Sequence, residues 1–255
     1  MEHLRKFETE NEYLEAKDDF VYPNVSYIVE GDLVHYMSAS NYEFVDLGLS
    51  VKWATCNVGA TKPEESGLYF AWGEDKGYVV TKGEVQDETY GIYTAVIKNA
   101  DGTDSTKTFA QDFSDYEHYE NGNFVKYTST DGLTTLENDD DGCYLAEKTM
   151  RMPTKDEYQE LIENTTSAWT TNYNESGVNG VVLTSNTNGN SIFVPAVGYI
   201  FGGMLYGFGL SGLFWSSSLY SDNVECAFNL VFSEGSLAVG NVVRFGGLPL
   251  RAVCP

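Results

Sequence analysis

The sequence predicts an α+β chain in which short strands joined by turns predominate, with a small helix–hairpin module ahead of a larger domain. Three observations predict it. The 255 residues include 18 Tyr and 25 Gly, and the apolar residues come in short runs. That composition favours pleated strands punctuated by turns. One segment carries a clear helical signature: in MPTKDEYQELI, Thr154 and Glu157 form a capping box, and Tyr158, Leu161 and Ile162 share one face. A hydrophobic content of 42% excludes general disorder, and the length suffices for a real core.

Residues 1–41 read as the small module. Thr9 and Glu12 make a capping box for a short helix running to about Phe20, and Pro23 ends it. Residues 25–29 and 33–36 alternate as strands around Glu30-Gly31-Asp32, a hairpin. One helix and one hairpin bury too little surface to stand alone, so this module is expected to attach to the main domain or to a partner. The stretch FETENEYLEAKDDFVYPNVSYIVEGDLVHY resembles N-terminal segments of structural and fibre proteins of phages that infect Bacteroides-type bacteria. The resemblance implies attachment to a virion or fibre assembly through residues 1–41.

The main domain spans 42–255. Short strands are expected at 43–49, 51–56 and 68–74. An acidic, Gly-dotted insert at 75–148 is expected to carry modest strands at 90–97 and 106–109. Turns are expected there at Lys82-Gly83-Glu84 and at 100–103. After the helix come strands at 178–183 and 191–194, with Asn188-Gly189-Asn190 as a hairpin signal. The motifs FVDLGLSVKWATCNVGATKPEESGLYFAWGE, RMPTKDEYQELIENTTSAWTT, NGNSIFVPAVGY and FWSSSLYS stand in one order. In that order they resemble the Fibrobacter succinogenes major paralogous domain and its Bacteroides relatives. The resemblance implies a C-type lectin-like fold of the formylglycine-generating-enzyme branch, with a twisted antiparallel sheet at its core and long functional loops.

Charge and composition exclude several function classes. The net charge of −23 repels nucleic acid and anionic membranes. No run of about 18 apolar residues exists to insert into a membrane. The N-terminus lacks the apolar core of a secretory signal, which favours a virion surface over a secreted or bacterial cell-surface location if Met1 is the native start. Cys56, Cys143, Cys226 and Cys254 form no CxxC pair, and His3, His35 and His118 lie far from them, so free thiols are expected and no zinc site. No other cofactor is implied, apart from calcium at the acidic run Asn138-Asp139-Asp140-Asp141-Gly142. A solvated loop is the simpler reading of that run, because EF-hand spacing is missing.

Catalysis finds little support. GxSxG and HExxH are missing, and no basic residue or His adjoins Cys226 or Cys254 to depress a thiol pKa. The Glu-Pro-Asn, Gln-Pro-Asp and Trp-Asn-Asp tripeptides of calcium-dependent lectins are also missing, which leaves aromatic stacking as a route to glycans.

The last forty residues resemble the variable region of proteins diversified by diversity-generating retroelements. Trp215, Ser216, Ser217, Ser218, Ala227, Phe232, Gly235, Arg244, Gly247 and Arg251 match the fixed frame of that region. Ser233-Glu234 and Pro249-Leu250 depart from it. The resemblance implies a variable region at 215–251 whose remaining positions face a ligand, either a bacterial surface protein or a glycan receptor. The expected ligand-binding residues are Tyr220, Asn223, Val224, Cys226, Phe228, Leu237, Val239, Asn241, Val242, Phe245 and Leu248, with Tyr220, Phe228, Phe245 and Leu248 as hot spots. Adenine-directed copying of Asn codons further requires codons ending in C or T at the variable positions. Alternatives are a bacterial glycan-binding domain without diversification and, third, a glycan-active hydrolase. Strand alternation also allows Leu230, Phe232 and Val243 to point into a core.

Overall fold

The computed structural model describes residues 42–255 throughout, together with the backbone of three short strands before them. The chain divides into two units, Met1–Tyr42 and Glu43–Pro255. In the first, β1 (Arg5–Phe7) runs parallel to β2 (Ser26–Val29), which pairs antiparallel with β3 (Asp32–His35). Val29 faces Asp32, as the expected hairpin requires, and the turn between them lies outside the described residues. The helix expected from Thr9 to Phe20 lies outside the described residues.

The second unit is mostly β. It opens with β4 (Phe44–Val45) and β5 (Lys52–Asn57), then β6 (Leu68–Phe70), β7 (Tyr78–Asp87) and β8 (Ile92–Asn99). A small ladder follows, β9 (Tyr119–Glu120) with β10 (Asn123–Phe124), and then two helices, α1 (Gly142–Ala146) and α2 (Lys155–Asn164). Next come β11 (Thr165–Thr170), β12 (Gly180–Ser185), β13 (Ser191–Pro195), β14 (Tyr199–Phe201) and β15 (Met204–Tyr206). The chain ends with β16 (Ser211–Leu219), β17 (Cys226–Ser233), β18 (Ser236–Val243), β19 (Leu248–Pro249) and β20 (Arg251–Cys254).

These strands form several antiparallel sheets. One has the order β14-β15-β8-β7-β6-β19; β11-β12-β13 and β16-β17-β18 are meanders. In the order β20-β5-β4 the last strand of the unit pairs with its second, β5, with Arg251 facing Asn57 and Val253 facing Trp53. The shared core includes Trp53, Tyr69, Phe109, Tyr158, Leu183, Ile200, Phe214, Phe232 and Val253, all buried. Burial of this kind is worth roughly 1.5–3 kcal/mol for each large apolar side chain.

Helix α2 forms where its sequence places it. Thr154 Oγ1 accepts from Glu157 N at 3.2 Å, and Glu157 Oε2 accepts from Thr154 N at 2.7 Å. Tyr158 and Leu161 are buried on its inner face. Other expectations need correction. Lys82-Gly83-Glu84 is not a turn but lies inside β7, where the ladder to β8 is irregular between Lys82 and Val85. A Cβ on Gly83 would sit 2.3 Å from Thr94 Oγ1, so close strand approach, rather than a turn, accounts for that glycine. The strand expected at 68–74 stops at Phe70, and Gly73 turns the chain at φ 78°. Residues 106–109 form no strand, and the 90–97 strand is shifted to 92–99.

Candidate binding surface

The sheet β16-β17-β18 carries most of the C-terminal segment; Trp215, Ser216, Ser217, Ala227 and Phe232 are its buried scaffold, while Ser218 is half-buried and Gly235 exposed. Trp215 is fully buried; its Nε1 donates to Phe70 O at 2.9 Å, while Trp72 Nε1 donates to Ser216 O at 2.8 Å. Ser217 N donates to Pro153 O at 2.8 Å, and Lys155 N to Ser218 Oγ at 3.1 Å, which docks the start of α2 on β16. Thr135 bridges Ser218, and Leu219 N donates to Thr134 O at 2.9 Å, so this part of β16 has no open edge. Ala227 and Phe232 are buried. Gly235 closes the β17–β18 turn at φ 77°, a conformation that glycine adopts without strain. A Cβ on Gly247 would lie 2.8 Å from the Phe109 ring.

Two buried arginines complete the scaffold. Arg251 Nε donates to Asn57 Oδ1 at 2.9 Å, and its Nη1 donates to Ala54 O at 2.9 Å and Thr55 O at 2.8 Å. Burial pushes its pKa down to about 10. Arg244 Nη1 donates to Tyr127 O at 3.2 Å and to Lys126 O at 3.4 Å. Its guanidinium lies 4.0 Å from the Phe124 ring centre and 5.5 Å from those of Trp72 and Tyr116. Ring quadrupoles and carbonyls take the place of a carboxylate there. Burial lowers the Arg244 pKa as well.

The residues between the frame positions separate into three groups. Facing residues of an antiparallel ladder share a sheet face. Leu237 faces Phe232, and Val239 faces Leu230, so both point to the core side and are partly buried against it. Val243 packs there too. Val242 faces Ala227 and belongs to the opposite side. The third group forms the open end of the sheet. Phe228 faces Asn241, the Tyr220 ring meets Phe228 edge-on at 5.2 Å, and Lys155 Nζ lies 5.0 Å above the Phe228 ring.

The loop from Tyr220 to Cys226 is held by its own bonds. Tyr220 N donates to Cys226 O, Asn223 N to Tyr220 O, and Cys226 N to Asn223 O, all between 2.9 and 3.1 Å. Asn223 is exposed and Val224 half-buried. Tyr220, Phe228 and Asn241, with Lys155, therefore form one mixed aromatic and amide patch, and Asn223 and Val224 lie on the bonded loop between Tyr220 and Cys226.

Three expected binding residues are core instead. Leu248 is 0% exposed in β19, opposite Phe70. Phe245 is 5% exposed, with its ring 4.8 Å from Phe113 and 5.4 Å from Phe201. Cys226 is buried, and burial pushes its thiol pKa up, away from nucleophilic character. The reason is local: β18 ends at Val243, and Gly246-Gly247 turn the chain into the core, so alternation no longer applies beyond 243. Lys155 escaped the sequence reading. Its one signal was its place directly after the Thr154 cap, which gave no indication that the helix start docks on Ser218.

The other polar sites are already engaged. Lys107 Nζ donates to both Glu74 carboxylate oxygens at 2.8 Å and to Asp115 O at 2.6 Å, at the wall of a cavity of about 480 Å³. Burial pushes the Glu74 pKa up while Lys107 pulls it down, and the net shift is upward. In the acidic run, Asp141 caps α1 by accepting from Cys143 N, and it accepts from Met152 N as well. Asp140 accepts from Lys126 and Tyr127. Among the described residues no group of three His, Cys, Asp or Glu is arranged to hold a metal ion. No helix among them is long and apolar enough to cross a membrane.

Comparison with family models, curated proteins and solved structures finds no match to this chain.

Proposed function

We propose that this chain is a non-enzymatic binding protein of the C-type lectin-like type whose C-terminal segment presents a diversified surface to a receptor on a bacterial host. It would be carried on a phage fibre or virion through residues 1–41. The observation that carries this reading is the division of the last forty residues. The frame positions Trp215, Ser216, Ser217, Ala227, Phe232, Arg244, Gly247 and Arg251 are buried, while Tyr220, Asn223, Val224, Phe228 and Asn241 between them are exposed or half-buried. A fold accepts variation only where the backbone is fixed by other residues.

Recognition would rest on Tyr220 and Phe228 as aromatic anchors, with Asn223 and Asn241 as hydrogen-bonding groups and Lys155 at the rim. Such a surface suits a protein epitope or a glycan. Sequencing the DNA downstream of the gene tests diversification. The expected result is a near-copy of codons 215–251, with adenines where Tyr220, Asn223, Val224, Phe228 and Asn241 are encoded, beside a reverse-transcriptase gene. Finding no copy would replace this reading with a bacterial glycan-binding domain that has a constant ligand.

A further inference from the structure

The free edge of β18 has chemistry that the ligand surface does not use. A two-residue turn makes Ser233 and Ser236 a bonded pair, so bonded pairs recur at Val231–Ala238, Asn229–Gly240 and Ala227–Val242. The N–H and C=O groups of Leu237, Val239 and Asn241 then point away from β17. They have no hydrogen-bond partner among the described residues. The strand SLAVGNVV carries no charge and no proline, and its ladder to β17 runs without a register shift. Edges are usually protected by charge, proline or a bulge, and this one lacks all three.

We infer that a second copy of this chain pairs with the β18 edge, antiparallel about a two-fold axis at Val239. The choice of occupant follows from the register, in which this uncharged strand is complementary to itself. At a net charge of −23, most surfaces of two copies repel each other. Pairing β18 with itself opposes only uncharged residues. The axis at Val239 places Leu237 of one copy opposite Asn241 of the other, and all the outward groups of these three residues find partners. Ala238 and Gly240 are small, so side chains on that face leave room for the second strand. The edge shares only Asn241 with the Tyr220–Phe228 surface, its main chain serving the edge and its side chain the surface, and the pairing sets two such surfaces in one particle, where avidity multiplies weak contacts.

The test is sedimentation of the full chain over a concentration series, which is expected to show a species of twice the chain mass. Val239→Lys places two ammonium groups opposite each other at the axis and should weaken the dimer at least about tenfold, while Val239→Thr keeps it. In a Cys254→Ser background, Val239→Cys should cross-link on mild oxidation, because facing Cα atoms lie about 5.5 Å apart. Leu237→Cys, opposite an asparagine, should not. A wild-type chain that stays monomeric overturns the inference, as does a folded Val239→Lys variant that dimerises unchanged. If Val239→Lys fails to fold by circular dichroism, the cysteine pair decides: equal cross-linking at both positions, or at neither, overturns it. None of these readouts depends on the ligand, so the proposed receptor binding stands or falls separately.

Discussion

Strands β16 and β18 are the two outer strands of one meander, yet they differ in almost everything but composition. Both are uncharged, and both mix apolar residues with small polar ones. In β16 the residues at 214–217 are buried; one edge pairs with β17, and the other is covered near its end by Thr134, Thr135 and Leu136. In β18 every residue is exposed or half-buried, and one edge has no ladder among the described residues. The difference comes from what the rest of the chain sets beside each strand. The start of α2 and the end of the acidic insert both dock on β16. One strand is thereby a foundation and the other a surface, and substitutions should sort accordingly.

The largest effects should fall on the foundation. Trp215→Ala and Phe245→Ala should each cost about 3–5 kcal/mol, and Leu248→Ala about 2–5 kcal/mol, in urea unfolding. Phe228→Ala and Tyr220→Ala, on the open end, should cost no more than about 1.5 kcal/mol. Equal losses at Phe228 and Phe245 would break the comparison.

The two arginines sharpen it. Arg251→Met strands Asn57 Oδ1, Ala54 O and Thr55 O without their donor and should cost about 2–3 kcal/mol. Arg244→Met strands only two weaker acceptors, and a Met side chain keeps apolar contact with the Phe124, Trp72 and Tyr116 rings in place of the cation. It should cost distinctly less, because exchanging a buried charge for an apolar side chain also removes a desolvation cost. Melting temperatures of the two variants, measured together, check the order.

A smaller effect concerns pH. Burial pushes the Glu157 carboxyl up, but the paired Arg151 guanidinium and the Thr154 N–H outweigh it and hold the pKa below its usual 4.5. The stability from this pair and cap is therefore fully present above pH 4.5 and is lost as pH falls through the lower folded value. Glu157→Gln should remove that part of the acid dependence, read as unfolding midpoints from pH 6 downward. Smallest of all, Ala238→Ser and Asn241→Ser should change stability by no more than about 0.5 kcal/mol.

Much of the scaffold was legible in the sequence because its signals are local. The Thr154–Glu157 capping box fixes α2, and Asn188-Gly189 marks the β12–β13 turn. What escaped depends on long-range packing. Gly83 looks like a turn residue until Thr94 is placed against it, and Phe245 looks like a strand residue until the chain dives at Gly246-Gly247. Lys155 belongs to the surface only because α2 docks on Ser218, sixty-three positions along the chain.

The most direct test of the central claim is a complete substitution scan of positions 215–251, read as resistance of the displayed protein to protease. The account predicts intolerance at Trp215, Ser216, Ala227, Phe232, Arg244, Gly247, Leu248 and Arg251, and broad tolerance at Tyr220, Asn223, Val224, Phe228, Ala238 and Asn241. Uniform intolerance across the segment, or tolerance at the buried frame, would contradict it.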